Sequence, residues 1–403
     1  MATVLFLGAS VSQLAGLRQA RSAGFRIVAV DGDPTAVGFA EADVHEAVDF
    51  TDVDRVTEIA RRERVDAVVA ISSDRAVPAA AAVAEALGLP GIGTDTAHLM
   101  TDKAAMRARL LEHGVPQPAF AVLTAEAVHA AKMDSVGLPA VLKPVDSGGQ
   151  RGVYRLESFA ELRKHLPEAL AHSRHGMAIV ERYVQGAELN GIVVVRDGEP
   201  VLLTLSDRLR PPGRGFGVGW VHLYPSQLDR ARLESAAETA VAAVRALGLR
   251  DGIAFPQLLV TDAGEPFVVE VAARIPAGQM ADLVRLAIGV DLVEIALLQA
   301  RGLPVPDELV ESRFERPLAV RFFTARPGIL PTGRVIAVAG LDRVRAAPGV
   351  LEADLYIQIG EVIRPVQVDA DRRGYVIATA DDPRAALELA GRAARELVVT
   401  VET

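Results

Sequence analysis

Through the first hundred positions, short runs of β-branched and apolar residues alternate with Ala-rich stretches. "TVLFLG" (3–8), "RIVAVDGDP" (26–34) and "DAVVAISSD" (66–74) read as buried strands. Between them "SQLAGLRQARSAG" (12–24), "VDRVTEIARRERV" (53–65) and "VPAAAAVAEALG" (77–88) read as helices. Strand–helix alternation with short Gly-containing joints predicts a parallel, doubly wound sheet.

From about position 98 the pattern changes. "DTAHLMTDKAAMRARLLEHG" (95–114) reads as one long helix with a Gly stop. "AVLKP" (140–144) is a strand, "SGGQRGV" (147–153) a glycine-rich turn and "SFAELRKHLPEAL" (158–170) a helix. "MAIVERYV" (177–184), "LNGIVVVRDGEPVLLTLSDR" (189–208), "AFPQLLVTDAGEPFVVEVAAR" (254–274) and the late "RGYVIATA" read as antiparallel strands, two of the segments turning at "RDGE" and "TDAGE". Helices follow at 228–248 and 291–302, and the last ninety residues mix strands with a final helix at 382–398. There is no internal repeat and no low-complexity segment.

Composition narrows the function. At 403 residues, half of them apolar, the chain should form two or three domains with ample cores. A formal charge of −9 argues against a nucleic-acid binder with a broad basic face. Without cysteine there are no disulfides, thiolate metal sites or cysteine nucleophiles. The N-terminus lacks the basic leader and long apolar region of a signal peptide, and no stretch reaches the roughly 18–20 apolar residues of a membrane span. A soluble, cytoplasmic protein is expected, with no membrane partner.

The chemistry concentrates in a few segments. In "LKPVDSGGQRGV", Lys143 ends a strand and a Gly-rich turn follows, as expected where backbone N–H groups close over phosphate oxygens. No GxxxxGK[ST] is present, so this is not a Walker P-loop. "VERYVQGAELN" carries Glu181 at a strand end and Glu188 beyond it, and Lys103 begins a helix about forty residues before Lys143. "FVVEVAARIPAG" (267–278) puts Glu270 and Arg274 on one face of an otherwise apolar strand.

In that order along the chain, these motifs resemble the ATP-grasp superfamily, and within it the carboxylate–amine ligases of the L-amino-acid ligase and carboxylase-like branch. The resemblance covers essentially the whole chain. It implies a mixed α/β and α+β protein: a Rossmann-like pre-ATP-grasp domain (1–97), an ATP-grasp domain of two α+β subdomains (98–312) with a mobile lid at about 125–190, and a small C-terminal α+β domain (313–403). Lys103 and Lys143 would contact ATP phosphates. The 147–153 loop, with Ser147, Gly148, Gly149, Gln150 and Gly152, would close over the β and γ phosphates. Glu181, Arg182, Tyr183 and Val184 would read adenine, and Glu188 would hold the ribose. Glu270 would hold Mg²⁺ (or Mn²⁺), and Arg274 would steady the transferred phosphoryl and the acyl phosphate, making Lys143, Glu270 and Arg274 the catalytic set. A homodimer is a further implication, as are small carboxylate and amine substrates. That chemistry is consistent in itself, because activating a carboxylate as an acyl phosphate builds negative charge that calls for cations and oriented N–H groups.

The sequence also departs from the family pattern. An acidic metal ligand usually precedes the second Glu on the neighbouring strand, and an Asn follows that Glu by two residues; Gln257 and Ala272 stand there instead. Three readings are open: Glu270, Gln257, waters and phosphates suffice; an acid such as Asp207 compensates; or the site is catalytically weakened. On the substrate side, the Gly/Pro-rich stretch 206–226 suggests a lid or substrate loop, with Arg208, Arg210, Arg214 and His222 as candidate anion ligands beside Gly278. "GASVSQ" (8–13) is a further anion-site candidate at a helix start, and "SSDRAVP" (72–78) a candidate wall of the same crevice. Asp31 could suggest dinucleotide binding, but nothing later in the chain supports hydride chemistry. The rival functions are a carboxylase or formate-dependent ligase of purine-biosynthesis or biotin-carboxylase type, and a degenerate nucleotide-binding scaffold.

Overall fold

The computed structural model describes residues 1–125, 134–211 and 217–402. The N-terminal part holds β1 (Thr3–Leu7), β2 (Arg26–Asp31), β3 (Val44–Ala47) and β4 (Ala67–Ala70), with α1 (Val11–Ser22), α2 (Val53–Glu63) and α3 (Ala76–Leu87). The strands are all parallel, in the order β3-β2-β1-β4. Strand side chains alternate faces, so the apolar run of β1 serves two layers. Val4 and Phe6 pack with Leu17 and Ala20 of α1, while Leu5 and Leu7 pack with Val56 and Ile59 of α2 and Val83 of α3. Four-residue β3 alternates half-buried and exposed positions, and so escapes a search for buried runs.

The stretch expected as one long helix is two, α4 (Thr94–Leu99) and α5 (Lys103–Glu112). Asp102 interrupts it: its side chain accepts from the Ala105 N–H at 2.9 Å and caps α5. The Lys103 N–H, freed at the helix start, donates to Val145 O at 2.8 Å. This break, not a continuous helix, brings Lys103 to the glycine-rich loop.

The next layer is an antiparallel sheet, β5-β8-β6-β7, built from β5 (Phe120–Thr124), β6 (Ala140–Pro144), β7 (Tyr154–Leu156) and β8 (Met177–Arg182). Helix α6 (Phe159–Ala171) covers it through Leu162 and Leu166 against Leu142, Leu156 and Val180. Then come β9 (Ala187–Arg196), β10 (Glu199–Leu209), β11 (Val221–Tyr224), α7 (Arg230–Ala246), β12 (Gly252–Val260), β13 (Pro266–Ala272), α8 (Met280–Ile288) and α9 (Leu292–Ala300). The hairpins β9–β10 and β12–β13 turn where the sequence predicted.

The closing segment adds β14 (Leu318–Phe322), β15 (Gly333–Ala339), α10 (Leu341–Ala346), β16 (Val350–Leu355), β17 (Val362–Ile363), β18 (Gly374–Thr379), α11 (Pro383–Ala394) and β19 (Val398–Glu402). Three of its strands extend the preceding sheet, giving eight strands in the order β13-β12-β9-β10-β11-β14-β18-β16; β17-β15-β19 form a separate small sheet. Helix α7 lies on one face of the large sheet and α8 and α9 on the other, with Val193 and Val195 of β9 facing the first and Ile192 and Val194 the second.

One irregularity positions the site. Between β12 and β13, Gln257 pairs with Glu270 but Leu258 pairs with Val268, so Val269 is an extra residue, a β-bulge. Strand β13 also ends at Ala272, two residues short of the expected strand, because the chain turns to bridge Ile275 to Ile71 of the N-terminal domain.

Candidate functional site

Two cations converge at the glycine-rich loop. Lys143, at the end of β6, places Nζ 2.7 Å from Oε2 of Glu181 on neighbouring β8. The other carboxylate oxygen accepts from Arg107 Nε at 2.8 Å. Glu181 is buried, which by itself would raise its pKa; Arg107 and Lys143 reverse this and hold it at about 2. Lys103 Nζ donates to Ser147 O at 2.9 Å, so the loop is tied to α5 by one lysine while the other stands at its root.

The loop is held close on both sides. A Cβ on Gly148 would come within 2.7 Å of Asp74 Oδ2, so a larger residue there would push that carboxylate aside. Gly149, Gln150 and Gly152 take left-handed conformations, and Gln150 reaches Gly217 beyond β10.

Behind the loop lies a cavity of about 70 Å³ bordered by Lys143, Gln150, Glu181, Tyr183, Val184 and Glu188. Within 181–184, the N–H groups of Arg182 and Tyr183 are already spent on Ala119 O (2.8 Å) and Pro139 O (2.9 Å). The Arg182 guanidinium donates to Val136 O. Both oxygens of Glu188 are engaged, one by Arg208 at 2.6 Å and the other by Arg210 at 2.7 Å. Those arginines hold its pKa below the usual carboxylate range despite burial. A carboxylate offers about four lone-pair sites, so Glu188 retains capacity for hydroxyl donors. Arg208 therefore borders this cavity and also lies near His222.

The metal candidates form a polar row across three strands. Glu270 of β13 lies directly opposite Gln257 of β12, and Gln257 lies opposite Asn190 of β9. The Gln257 amide donates to Asn190 Oδ1 at 3.2 Å. Lys103 Nζ stands 3.8 Å from Glu270 Oε2. Asp207 does not join the row: it accepts from Ser226 Oγ and the Gln227 N–H, and burial raises its pKa. Among the described residues no group of three His, Cys, Asp or Glu side chains could hold a metal. One carboxylate and an amide oxygen fit Mg²⁺, which commonly takes one or two protein carboxylates and fills its octahedron with phosphate oxygens and waters.

Arg274 is nearly enclosed, with Nε 2.7 Å from Asp74 Oδ1 across 200 positions of sequence. Asp74 stays ionised because Arg274, Lys103 and Arg151 outweigh its burial. This places "SSDRAVP" in the same crevice. By contrast "GASVSQ" satisfies itself: Gln13 and Ser10 form a capping box, and Asp31 accepts from the Ala9 N–H at 2.7 Å.

A second cavity, of about 360 Å³, lies where the N-terminal, central and closing segments meet, bordered by Ser12, Gly278, Asp282, Phe322, Tyr356 and Arg372. Gly278 (φ +76°) leaves room there: a Cβ would lie 3.3 Å from Arg372 Nη1 and 3.5 Å from His222 Nε2. His222 is buried, and burial followed by Arg208 and Arg372 depresses its pKa well below 6.5. Its Nδ1 accepts from Asn190 Nδ2 at 3.1 Å, which leaves the proton on Nε2, the nitrogen facing Gly278. Arg214 lies outside the described residues.

The sequence reading passed over Asn190, Arg107 and Arg372, and reached Asp74 only as part of "SSDRAVP". Asn190 had a trace in "LNGIVVV", a lone amide in an apolar strand; the others depend on contacts distant in sequence.

Known proteins resemble this chain along most of its length. Residues 102–308, just over half the chain, match the carbamoyl-phosphate synthase L chain ATP-binding domain. Residues 17–91 match the ATP-grasp N-terminal domain and 321–402 the L-amino acid ligase C-terminal domain 2. An uncharacterised Sinorhizobium fredii protein, y4rH, is 30% identical over 77% of this chain, which spans 63% of that relative's length. A formate-dependent phosphoribosylglycinamide formyltransferase of Ignicoccus hospitalis is 29% identical over 93% of this chain and 90% of its own. The L-amino acid ligase from Bacillus licheniformis superposes with a TM-score of 0.85 at 19% identity, covering 100% of this chain and 99% of that one. By fold, by ordered motifs and by family match, this chain belongs to the ATP-grasp superfamily.

Proposed function

We propose that the protein is an ATP-dependent carboxylate–amine ligase, forming an amide or peptide bond through an acyl phosphate on amino-acid or peptide-like substrates. The observation that carries this reading is the convergence of Lys103, Lys143, Glu270 and Arg274 around the glycine-rich loop, beside a separate cavity lined by both arginines and carboxylates. Lys103, Lys143 and the 147–152 backbone bind and orient the phosphates, and Arg274 meets the charge that grows on the transferring phosphoryl. Val184 and the Tyr183 ring line the adenine side, while Glu188 takes the ribose.

Glu270 and the Gln257 carbonyl would hold Mg²⁺, which supplies charge neutralisation along the phosphates. In the second cavity, Arg372 beside Gly278 would supply a donor for a substrate carboxylate, with the buried His222 next to Gly278 behind the cavity wall. The divisions near 97 and 312, a lid within about 125–190, a homodimer and a cytoplasmic setting belong to this reading. The match to a C-terminal domain described for L-amino acid ligases favours it over the carboxylase and formate-dependent alternatives.

The test is a substrate matrix: ATP and Mg²⁺ with paired amino acids, bicarbonate or formate, following phosphate release and product mass. Release that requires two amino acids, with a dipeptide mass, is the expected result. Dependence on bicarbonate or formate moves the protein to the second class, and nucleotide binding without release under any condition marks a scaffold.

A further inference from the structure

Arg107 faces neither cavity, yet it is the largest fully buried side chain, with 1% of its surface exposed. An apolar residue would fill a helix core at lower desolvation cost, so a guanidinium here calls for a reason. Its partners supply one. Nε donates to Glu181 Oε1 at 2.8 Å, Nη1 to Val268 O at 2.9 Å and Nη2 to Val269 O at 2.7 Å. Gln117 returns a bond to the Arg107 carbonyl, and Pro116 O accepts the Val268 N–H at 2.9 Å.

Val268 and Val269 are consecutive residues of β13, an edge strand of the large sheet. In regular pleated strands, successive carbonyls point to opposite edges. Here both turn outward because Val269 is the bulged residue, and the planar fork of Arg107 spans the two carbonyls. The bulge decides which side chain next faces the site. A one-residue slip of β13 would turn Glu270 to the other face of the sheet.

We propose that Arg107 is a positioning residue with two simultaneous tasks. It fixes the bulge that sets Glu270 opposite Gln257, and it holds Glu181 against Lys143. The metal side and the phosphate side, on different sheets, are thereby joined through one buried cation. The proposal rests on the reading of these two sides as parts of one ATP site.

Arg107→Lys and Glu181→Gln test it together. A lysine keeps the charge but cannot span two carbonyls and a carboxylate. Expected for R107K are at least a tenfold fall in kcat, a threefold or larger rise in the Mg²⁺ needed for half-maximal rate, and faster amide hydrogen exchange across 267–271. E181Q preserves volume and lies on another sheet, so it carries the test if R107K fails to fold. It should also shift the Mg²⁺ midpoint at least threefold and speed exchange in 267–271. A folded R107K within twofold of wild type in rate and Mg²⁺ midpoint overturns the proposal. So does an E181Q that weakens ATP binding while leaving the Mg²⁺ midpoint and 267–271 exchange unchanged. A wild-type protein that neither binds nor turns over ATP sinks the proposed function instead; the exchange of 267–271 in E181Q then decides the linkage alone.

Discussion

The two sides of the proposed nucleotide site are built on opposite electrostatic plans. On the phosphate side, Lys143 is held by a buried carboxylate that a second buried cation also grips, and each group has a charged partner within 2.8 Å. On the metal side there is one carboxylate, about a third exposed, with an amide opposite it and Lys103 3.8 Å away. The first is complete without ligand. The second is short of negative charge and leans on whatever anions arrive with the nucleotide. On the proposed function, cation placement is fixed by folding, whereas metal affinity would be left to the phosphates of the nucleotide.

The largest effects should come from removing the core of either side. Lys143→Ala or Glu270→Ala should each lower ATP-dependent phosphate release by about 10²–10³-fold, the range for loss of one charge-stabilising group. Near-normal rates in either variant, by coupled phosphate assay, would break the comparison at its root. Next in size is Asp74→Asn, which leaves Arg274 without its charged partner. A fall of about tenfold in kcat, with KM for ATP little changed, is expected of an interaction made chiefly in the transition state.

Gln257→Glu probes the asymmetry itself. If the metal side lacks negative charge, this variant should lower the half-saturating Mg²⁺ concentration several-fold in a titration of the rate. An unchanged or raised midpoint would mean that charge is not what limits that side.

The smallest effect concerns acid stability. Because the folded-state pKa of Glu181 lies at about 2 against 4.5 for the free group, its ionised form contributes stability above pH 4.5. That contribution is lost as pH falls from 4.5 toward 2, and it amounts to about 3 kcal/mol at most. Melting curves across this window should show E181Q less pH-dependent than wild type. Parallel curves would refute the assignment.

Much of this was legible in the sequence because it is local. The β6 strand ending in Lys143 and the glycine-rich turn after it are both readable within a dozen residues. The "RDGE" and "TDAGE" turns fix both hairpins. What escaped depends on register or on distant partners. Asn190 joins Gln257 only through the β9–β12 pairing, and Asp74 meets Arg274 across the domain boundary. Arg107 looks like one more polar position on α5 until its acceptors, over 70 and over 160 residues away, are known. The split between α4 and α5 was half legible: Lys103 reads as a helix start after an Asp cap, yet the run 95–114 continues through Asp102 without a Gly or Pro stop.

The shared eight-stranded sheet also bears on how the molecule can be divided. Four-residue β11 lies between β10 and β14, and cutting the chain before residue 318 would strip its outer partner. A short apolar strand with open N–H and C=O groups is a template for intermolecular pairing. The same cut would remove Phe322 and Arg372 from around His222 and Gly278. A truncated chain, even with Lys103, Lys143 and the glycine-rich loop intact, should therefore aggregate and lose the cavity beside Gly278 together, so the closing segment belongs to the folding unit as well as to that cavity.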